Sequence, residues 1–193
     1  VTGAARGIGR GIATALAQAG HFVVVTDIDE AAAQAAAAAL GDAAMALRMD
    51  VRDADEVSKV VAQVLATRGA IDVLVNNAGL TQRRGVMEVT AQDYADITDV
   101  VLRGTLQMSQ AVIPAMRARR SGSIVCVSSM SAQQGGGVFG GTHYCAAKAG
   151  VLGLVRAMAR ELGPDQVRVN AVAPGLILTD FSRGANSDEN KHA

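Results

Sequence analysis

Apolar residues recur along this chain in two rhythms. Short β-branched runs occupy residues 22–26, 71–75, 123–127 and 167–172, with a weaker one at 43–49. These runs are read as near-continuous rather than alternating, the pattern of parallel strands covered on both faces. Between them lie stretches of helical period. Residues 7–19 place Ile8, Ile12, Ala15, Leu16 and Ala19 along one stripe. Residues 30–40 are almost all alanine, the strongest helix former. A helix over 53–67 opens on Asp53-Ala-Asp-Glu56, a capping-box spacing with Asp in the Ser/Thr place. Thr90-Ala-Gln-Asp93 opens another, running to about 101. Helices over 102–119, kinked at Pro114, and over 144–162 complete the set. Strand and helix alternating through short connections predict an α/β fold: a doubly wound parallel sheet with helices on both faces, Rossmann-type. One domain is expected over 1–181, followed by a polar, frayed tail at 182–193.

Composition narrows the class. At 193 residues, half of them hydrophobic, the chain can build one sizeable core. Its 18 basic and 18 acidic residues cancel, which argues against both a nucleic-acid partner and disorder. Cys126 and Cys145 are too few for a disulfide scaffold and suit a reducing compartment. No apolar run reaches the ~20 residues of a membrane helix, and the opening Val1-Thr2-Gly3 does not read as a signal peptide. The expectation is a cytoplasmic protein without a metal ion. Only Val1 and Thr2 precede the glycine loop, where a whole strand is expected. The sequence therefore reads as truncated at both ends, and such a piece is expected to be poorly stable and inactive alone.

Thr2-Gly3-Ala4-Ala5-Arg6-Gly7-Ile8-Gly9 carries the first candidate chemistry. Gly3 permits a tight turn, Gly7 lets backbone approach a pyrophosphate, and Gly9 lets helix and sheet pack closely. The helix N-terminus then offers N–H groups and positive dipole to the anion. A glycine-rich turn without a ligand has the same spelling. Asp27 ends the next strand, 18 residues after Gly9, where a carboxylate can accept both hydroxyls of an adenosine ribose and repel a 2′-phosphate. The competing reading is a strand-end residue, with Asp29 capping the helix after it; beside the glycine loop the ribose role is favoured. Asn76-Asn77-Ala78-Gly79 reads as a strand-to-loop turn whose amides can tie neighbouring loops. Tyr144 and Lys148 are four apart, on one helical face. An ammonium beside a phenol favours the phenolate, so the pair can serve as an acid/base, although Tyr-x3-Lys also arises by chance. Ser128 and Ser129 end the strand before that helix and could bond a substrate oxygen or cap backbone. Arg83 and Arg84 could meet an anion or form a solvated surface pair.

In order and spacing these features resemble the classical short-chain dehydrogenase/reductase family, over 1–181. The resemblance rests on the glycine loop, Asp50-Val51, Asn76 to Gly79, Ser129, Tyr144-x3-Lys148, and Pro174-Gly175 with Thr179. It implies an enzyme that moves hydride between NAD(H) and a secondary alcohol or ketone, with NADP the lesser cofactor. By resemblance Ser129 polarises the substrate oxygen, Tyr144 transfers the proton, and Lys148 lowers the Tyr144 pKa and holds the nicotinamide ribose. Gly3, Arg6, Gly7, Ile8, Gly9 and Asp27 would bind the cofactor. Asp50 and Val51 would meet the adenine, Asn77, Ala78 and Gly79 would line the site, and Pro174, Gly175, Ile177 and Thr179 would hold the nicotinamide amide. Val101 stands where the family usually has an Asn that helps relay protons.

That substitution supports a second reading, a nucleotide-binding protein with weak or no turnover. A third, the nucleotide-sugar epimerase branch, shares Tyr-x3-Lys but usually spells its loop Gly-x2-Gly-x2-Gly. The helices at 102–119 and 144–162 are apolar around more than one face. With the resemblance, this implies a homodimer or homotetramer paired through them.

Overall fold

The computed structural model describes residues 1–136 and 140–179; the chain end at 181 and the tail at 182–193 expected from the sequence lie outside them. In chain order the elements are α1 (Gly7–Gln18), β1 (Val23–Asp27), α2 (Glu30–Ala38), β2 (Ala44–Arg48), α3 (Ala54–Arg68) and β3 (Val73–Asn76). They continue as α4 (Ala91–Thr98), α5 (Gly104–Arg119), β4 (Gly122–Val127), α6 (Ser131–Gln134), α7 (Thr142–Leu162) and β5 (Val167–Val172).

All strand pairs among the described residues are parallel: β1 with β2, β3 with β4, and β4 with β5. Val1 and Thr2 join the two groups. Thr2 bridges Thr26 of β1 and donates its N–H to Val75 O of β3 at 3.0 Å. The Val1 ammonium donates to Val24 O at 2.9 Å. The resulting order, β2-β1-(Val1, Thr2)-β3-β4-β5, is the doubly wound arrangement the alternation predicted. Beyond Val1, between β1 and β3, lies a cavity of about 240 Å³ lined by apolar groups such as Leu16, Val24, Val61, Val64, Leu74 and Val112.

Local signals start the helices largely as expected. Asp53 caps α3, accepting from the N–H groups of Asp55 and Glu56. The capping box is only half formed there, because Glu56 turns to the Asp50 N–H instead. At α4 both halves of the Thr90–Asp93 box are present. The break expected between residues 101 and 102 is absent. A π-helical turn over Asp99–Arg103 carries α4 into α5, with Val101 buried in it. Such wide turns concentrate at functional positions. Pro114 is accommodated inside α5.

Two cores flank the sheet. The larger gathers Met108, Val112, Met116, Ile124, Val151 and Leu162 with their neighbours around β3, β4 and β5. The smaller, under β1 and β2, is built from Ala4, Ala13, Val23, Val25, Ala33, Ala36 and Ala37.

Candidate active site

The glycine loop is held by side chains that sequence reasoning passed over. Thr2 Oγ1 accepts the N–H groups of Asn77 and Ala78, both at 3.0 Å. Asn77 Nδ2 donates back to the carbonyls of Thr2 and Gly3, both at 2.9 Å. Asn77 thus ties loops together, as its amide suggested. Thr2 carried no sequence signal beyond standing next to Gly3. The loop has no room for side chains. A Cβ on Gly3, whose φ is +61°, would lie 2.8 Å from Ala78 Cα, and one on Gly9 would lie 2.3 Å from Gly3 O. Gly7 also has a positive φ, +54°. Arg6 and Ile8 flank Gly7, with Arg6 exposed and Ile8 half-buried. Arg6 at the N-cap of α1 makes no capping bond with its side chain, and no acid stands in the first turn. No side chain therefore caps the N–H groups of that turn, and this fits a pyrophosphate.

Asp27 closes β1 beside this loop. Its Oδ2 accepts the Ala5 N–H at 3.1 Å and its Oδ1 the Asp29 N–H at 3.2 Å. Asp29 caps α2 and pairs with Arg6 at 2.9 Å. The carboxylate of Asp27 is therefore oriented by backbone, while the one cation of the loop is turned to Asp29.

Asp50, expected at the adenine, already carries a partner. Arg52 grips its carboxylate through Nε and Nη2, the closest approach 2.6 Å. That hydrogen bond is the main cause that holds Asp50 below the ordinary carboxylate range. The Val51 side chain is buried against Gly104, where an added Cβ would lie 2.7 Å from Val51 Cγ2. Val51 has only backbone to offer a ligand.

Ser129, Tyr144 and Lys148 converge where β4 ends. Ser129 Oγ accepts the Ser131 N–H at 3.1 Å, and its hydroxyl is near enough to the Tyr144 phenol to favour the phenolate. Ser128 Oγ donates to Lys148 O at 2.9 Å, which pins α7 to the strand end. Lys148 is buried, and its Nζ donates to Val127 O at 2.7 Å. Burial lowers its pKa to about 8. The Tyr144 phenol is pushed up by burial, and the hydroxyl of Ser129 opposes that shift. The lowering partner in this structure is Ser129 and not Lys148, whose ammonium lies 5.9 Å from the centre of the Tyr144 ring and is turned to Val127. A Cβ on Gly79 would lie 3.7 Å from Lys148 Nζ and 3.9 Å from Val101 Cγ2, so Gly79 leaves room between the lysine and the buried Val101.

Residues 174–179 run from this triad to the glycine loop. Pro174 O accepts the Met130 N–H at 3.0 Å, and a Cβ on Gly175 would lie 2.8 Å from Met130 Sδ. Ile177 is about half exposed. The Thr179 side chain stands 3.5 Å from where a Cβ on Gly7 would be. The Gly7–Thr179 approach sets residues 174–179 beside the glycine loop, and Pro174 ties them to the segment after Ser129. The arginines that follow Gly79 do not act as a plain solvated pair. Arg84 Nε binds Asp93 Oδ2 at 3.1 Å.

A family profile described as short chain dehydrogenase matches residues 1–190. The chain belongs to the short-chain dehydrogenase/reductase family. Members are NAD(P)-binding oxidoreductases that act on alcohol and keto groups of small molecules. An uncharacterized short-chain type dehydrogenase/reductase of Sinorhizobium fredii is 48% identical over 188 residues, 94% of this chain and 74% of that protein. A crystal structure of a short-chain dehydrogenase from Streptomyces avermitilis superposes with a TM-score of 0.86 at 38% identity, covering 94% of this chain and 66% of the other. The 3-ketoacyl-(acyl-carrier-protein) reductase of Brucella melitensis, complexed with NADH, gives 0.91 at 31% identity, covering 95% and 77%. The chain therefore spans two thirds to about three quarters of these relatives. No helix among the described residues is long and apolar enough to cross a membrane.

Proposed function

We propose that this short-chain dehydrogenase/reductase reduces a ketone, or oxidises the corresponding secondary alcohol, with NAD(H) and with Tyr144 as proton donor and acceptor. The observation that carries the reading is the convergence of Ser129, Tyr144 and Lys148 at the end of β4, in line with an open glycine loop. The nicotinamide supplies the hydride chemistry. The chain's own part is positional. Ser129 bonds the substrate oxygen and the phenol. Tyr144 passes its proton to the oxygen as charge develops there. Lys148, close to neutrality in pKa, holds the cofactor ribose and steadies the phenolate once that proton has left.

Asp27 supports NAD over NADP, because its backbone-oriented carboxylate repels a 2′-phosphate. The Brucella relative was crystallised with NADH, and its 3-ketoacyl thioester is one substrate class to test. Asp50 and Val51 are proposed at the adenine, the latter through backbone. Asn77, Ala78 and Gly79 are proposed along the cofactor, and Pro174, Gly175, Ile177 and Thr179 at the nicotinamide amide. A cytoplasmic location is proposed with the activity, as is pairing through α5 and α7. The outward face of α7 that would carry that pairing shows small residues such as Ala146, Ala149, Gly153 and Ala157, while Val151, Val155 and Met158 are used in the core.

Oxidation of NADH and of NADPH against a panel of ketones and 3-oxoacyl thioesters tests the reading. Turnover with NADH preferred is expected. A second reading is favoured by Val101, an apolar, buried side chain where the family usually has an Asn. It predicts cofactor binding with no turnover on any ketone. Light scattering at micromolar concentration tests the pairing, and a monomer would contradict it.

A further inference from the structure

His143 immediately precedes Tyr144 in the first turn of α7 and is 2% exposed. Its Nε2 lies 2.9 Å from Gln82 Oε1. The same Gln82 side chain donates from Nε2 to Asp93 Oδ1 at 2.6 Å, which fixes the orientation of the amide. Its oxygen can only accept, so the proton of the neutral imidazole is on Nε2. Nδ1 is then a buried lone pair with no partner among the described residues. Asp93 is itself anchored. Its Oδ2 takes the Thr90 N–H and hydroxyl at 3.0 and 2.7 Å and pairs with Arg84. Backbone completes the connection, since the Gly141 N–H donates to Gln82 O at 2.9 Å. Gly141 contributes no side-chain cap to α7. The first turn of the helix that carries Tyr144 is therefore held through residue 82.

We infer that His143 is a positioning residue: through Gln82 and Asp93 it locks residues 82–84 and the cap of α4 to the start of α7, and so fixes Tyr144 against Ser129. The inference rests on the proposed reaction for its effect on rate, but the lock itself is visible without turnover. The lock needs Nε2–H, which the neutral tautomer supplies without burying a charge. A second proton would sit on Nδ1, where no described residue accepts it, so acid adds a buried charge beside the lock. The groups facing the ring are Asp93 and Tyr94 from α4 and Arg84 from the preceding segment. Burial, the largest influence, and Arg84 disfavour the cation, while Asp93 favours it, and the net effect places His143 below its ordinary 6.5. The neutral ring thus supports the fold in full above pH 6.5, and that contribution falls away as acid drives the pH below it.

The test is the pH dependence of kcat and KM in wild type and three variants. Wild type should lose kcat on the acid side of pH 6.5 with little change in KM for NADH. H143Q keeps an amide donor that does not titrate, so its kcat should stay within about threefold of wild type at neutral pH and its acid limb should flatten. H143F and Q82L should lower kcat several-fold at every pH. An acid limb unchanged in H143Q, or full kcat in H143F, overturns the inference. Should no ketone turn over in wild type, the proposed reaction fails and the lock is read directly. The ¹⁵N spectrum of His143 should show the Nε2–H tautomer, and the Gly141 amide should exchange faster in Q82L. The opposite tautomer, or unchanged exchange, sinks the lock on its own terms.

Discussion

The two halves of this sheet solve opposite packing problems. Around β3, β4 and β5 the core is made of large side chains, with Met116, Ile124 and Leu162 fully buried. Around β1 and β2 it is made of alanine and valine, and the loop above it is closed by glycines that tolerate no Cβ. The first half must hold a phenol and an ammonium at fixed positions in a dry setting, and bulky interlocking side chains do that. The second must bring backbone N–H groups up to an anion, and small residues permit the approach. The join between them is narrow: Thr2, its hydroxyl and the amide of Asn77.

The largest expected effect lies in the proton-transfer half. Tyr144→Phe keeps the ring and removes the proton, and should lower kcat/KM by ~10²–10⁴. NADH affinity, read by fluorescence titration, should barely move. Retention of nearly full activity would remove Tyr144 from the chemistry.

Opposite changes in core volume should each destabilise one half. Met116→Ala removes bulk from the well-filled core and should cost ~2–5 kcal/mol in denaturant unfolding. Ala36→Val adds bulk where there is none to spare, at ~1–3 kcal/mol. If Ala36→Val proves neutral, the small core is looser than its composition implies.

Lys148 should trade stability for function. Its pKa of about 8 in the fold lies below the ordinary 10.5, so the unfolded chain binds more protons between those values. Stability should therefore rise as pH climbs from 8 to 10.5, and the full cost of burying the ammonium is present below 8. Lys148→Met should abolish turnover while raising stability at pH 7 by on the order of 3 kcal/mol, at about 1.4 kcal/mol for each pKa unit. The gain should shrink toward pH 10. Thermal melts at pH 7 and 10 decide, and a gain that grows with pH would refute the argument.

The smallest effect belongs to the nucleotide half. Asp27→Ser removes one charge near the surface and should shift the NADPH-to-NADH affinity ratio about tenfold toward NADPH. Fluorescence titration with both dinucleotides measures it. A wild type that binds NADPH more tightly would cancel the NAD assignment.

Much of this was legible along the chain because it is local. A short apolar run such as 123–127, flanked by polar residues and a glycine, reads as a buried strand, and the Thr90–Asp93 box announces the start of a helix within four residues. Glycine spacing marks where backbone must come close. Tyr144 and Lys148 share a face by helical period alone. Tertiary structure decided what depends on residues far apart in sequence. Glu56 abandons its helix cap for Asp50, Arg52 occupies the carboxylate expected at the adenine, and residues 99–103 form a wide turn where a break was expected. The acidity of Tyr144 and Lys148 was also out of reach, because it follows from burial and from where Nζ finds its acceptor, and sequence spacing carries neither. His143, Gln82 and Asp93 come from three separate segments, and only the fold makes them one hydrogen-bonded chain.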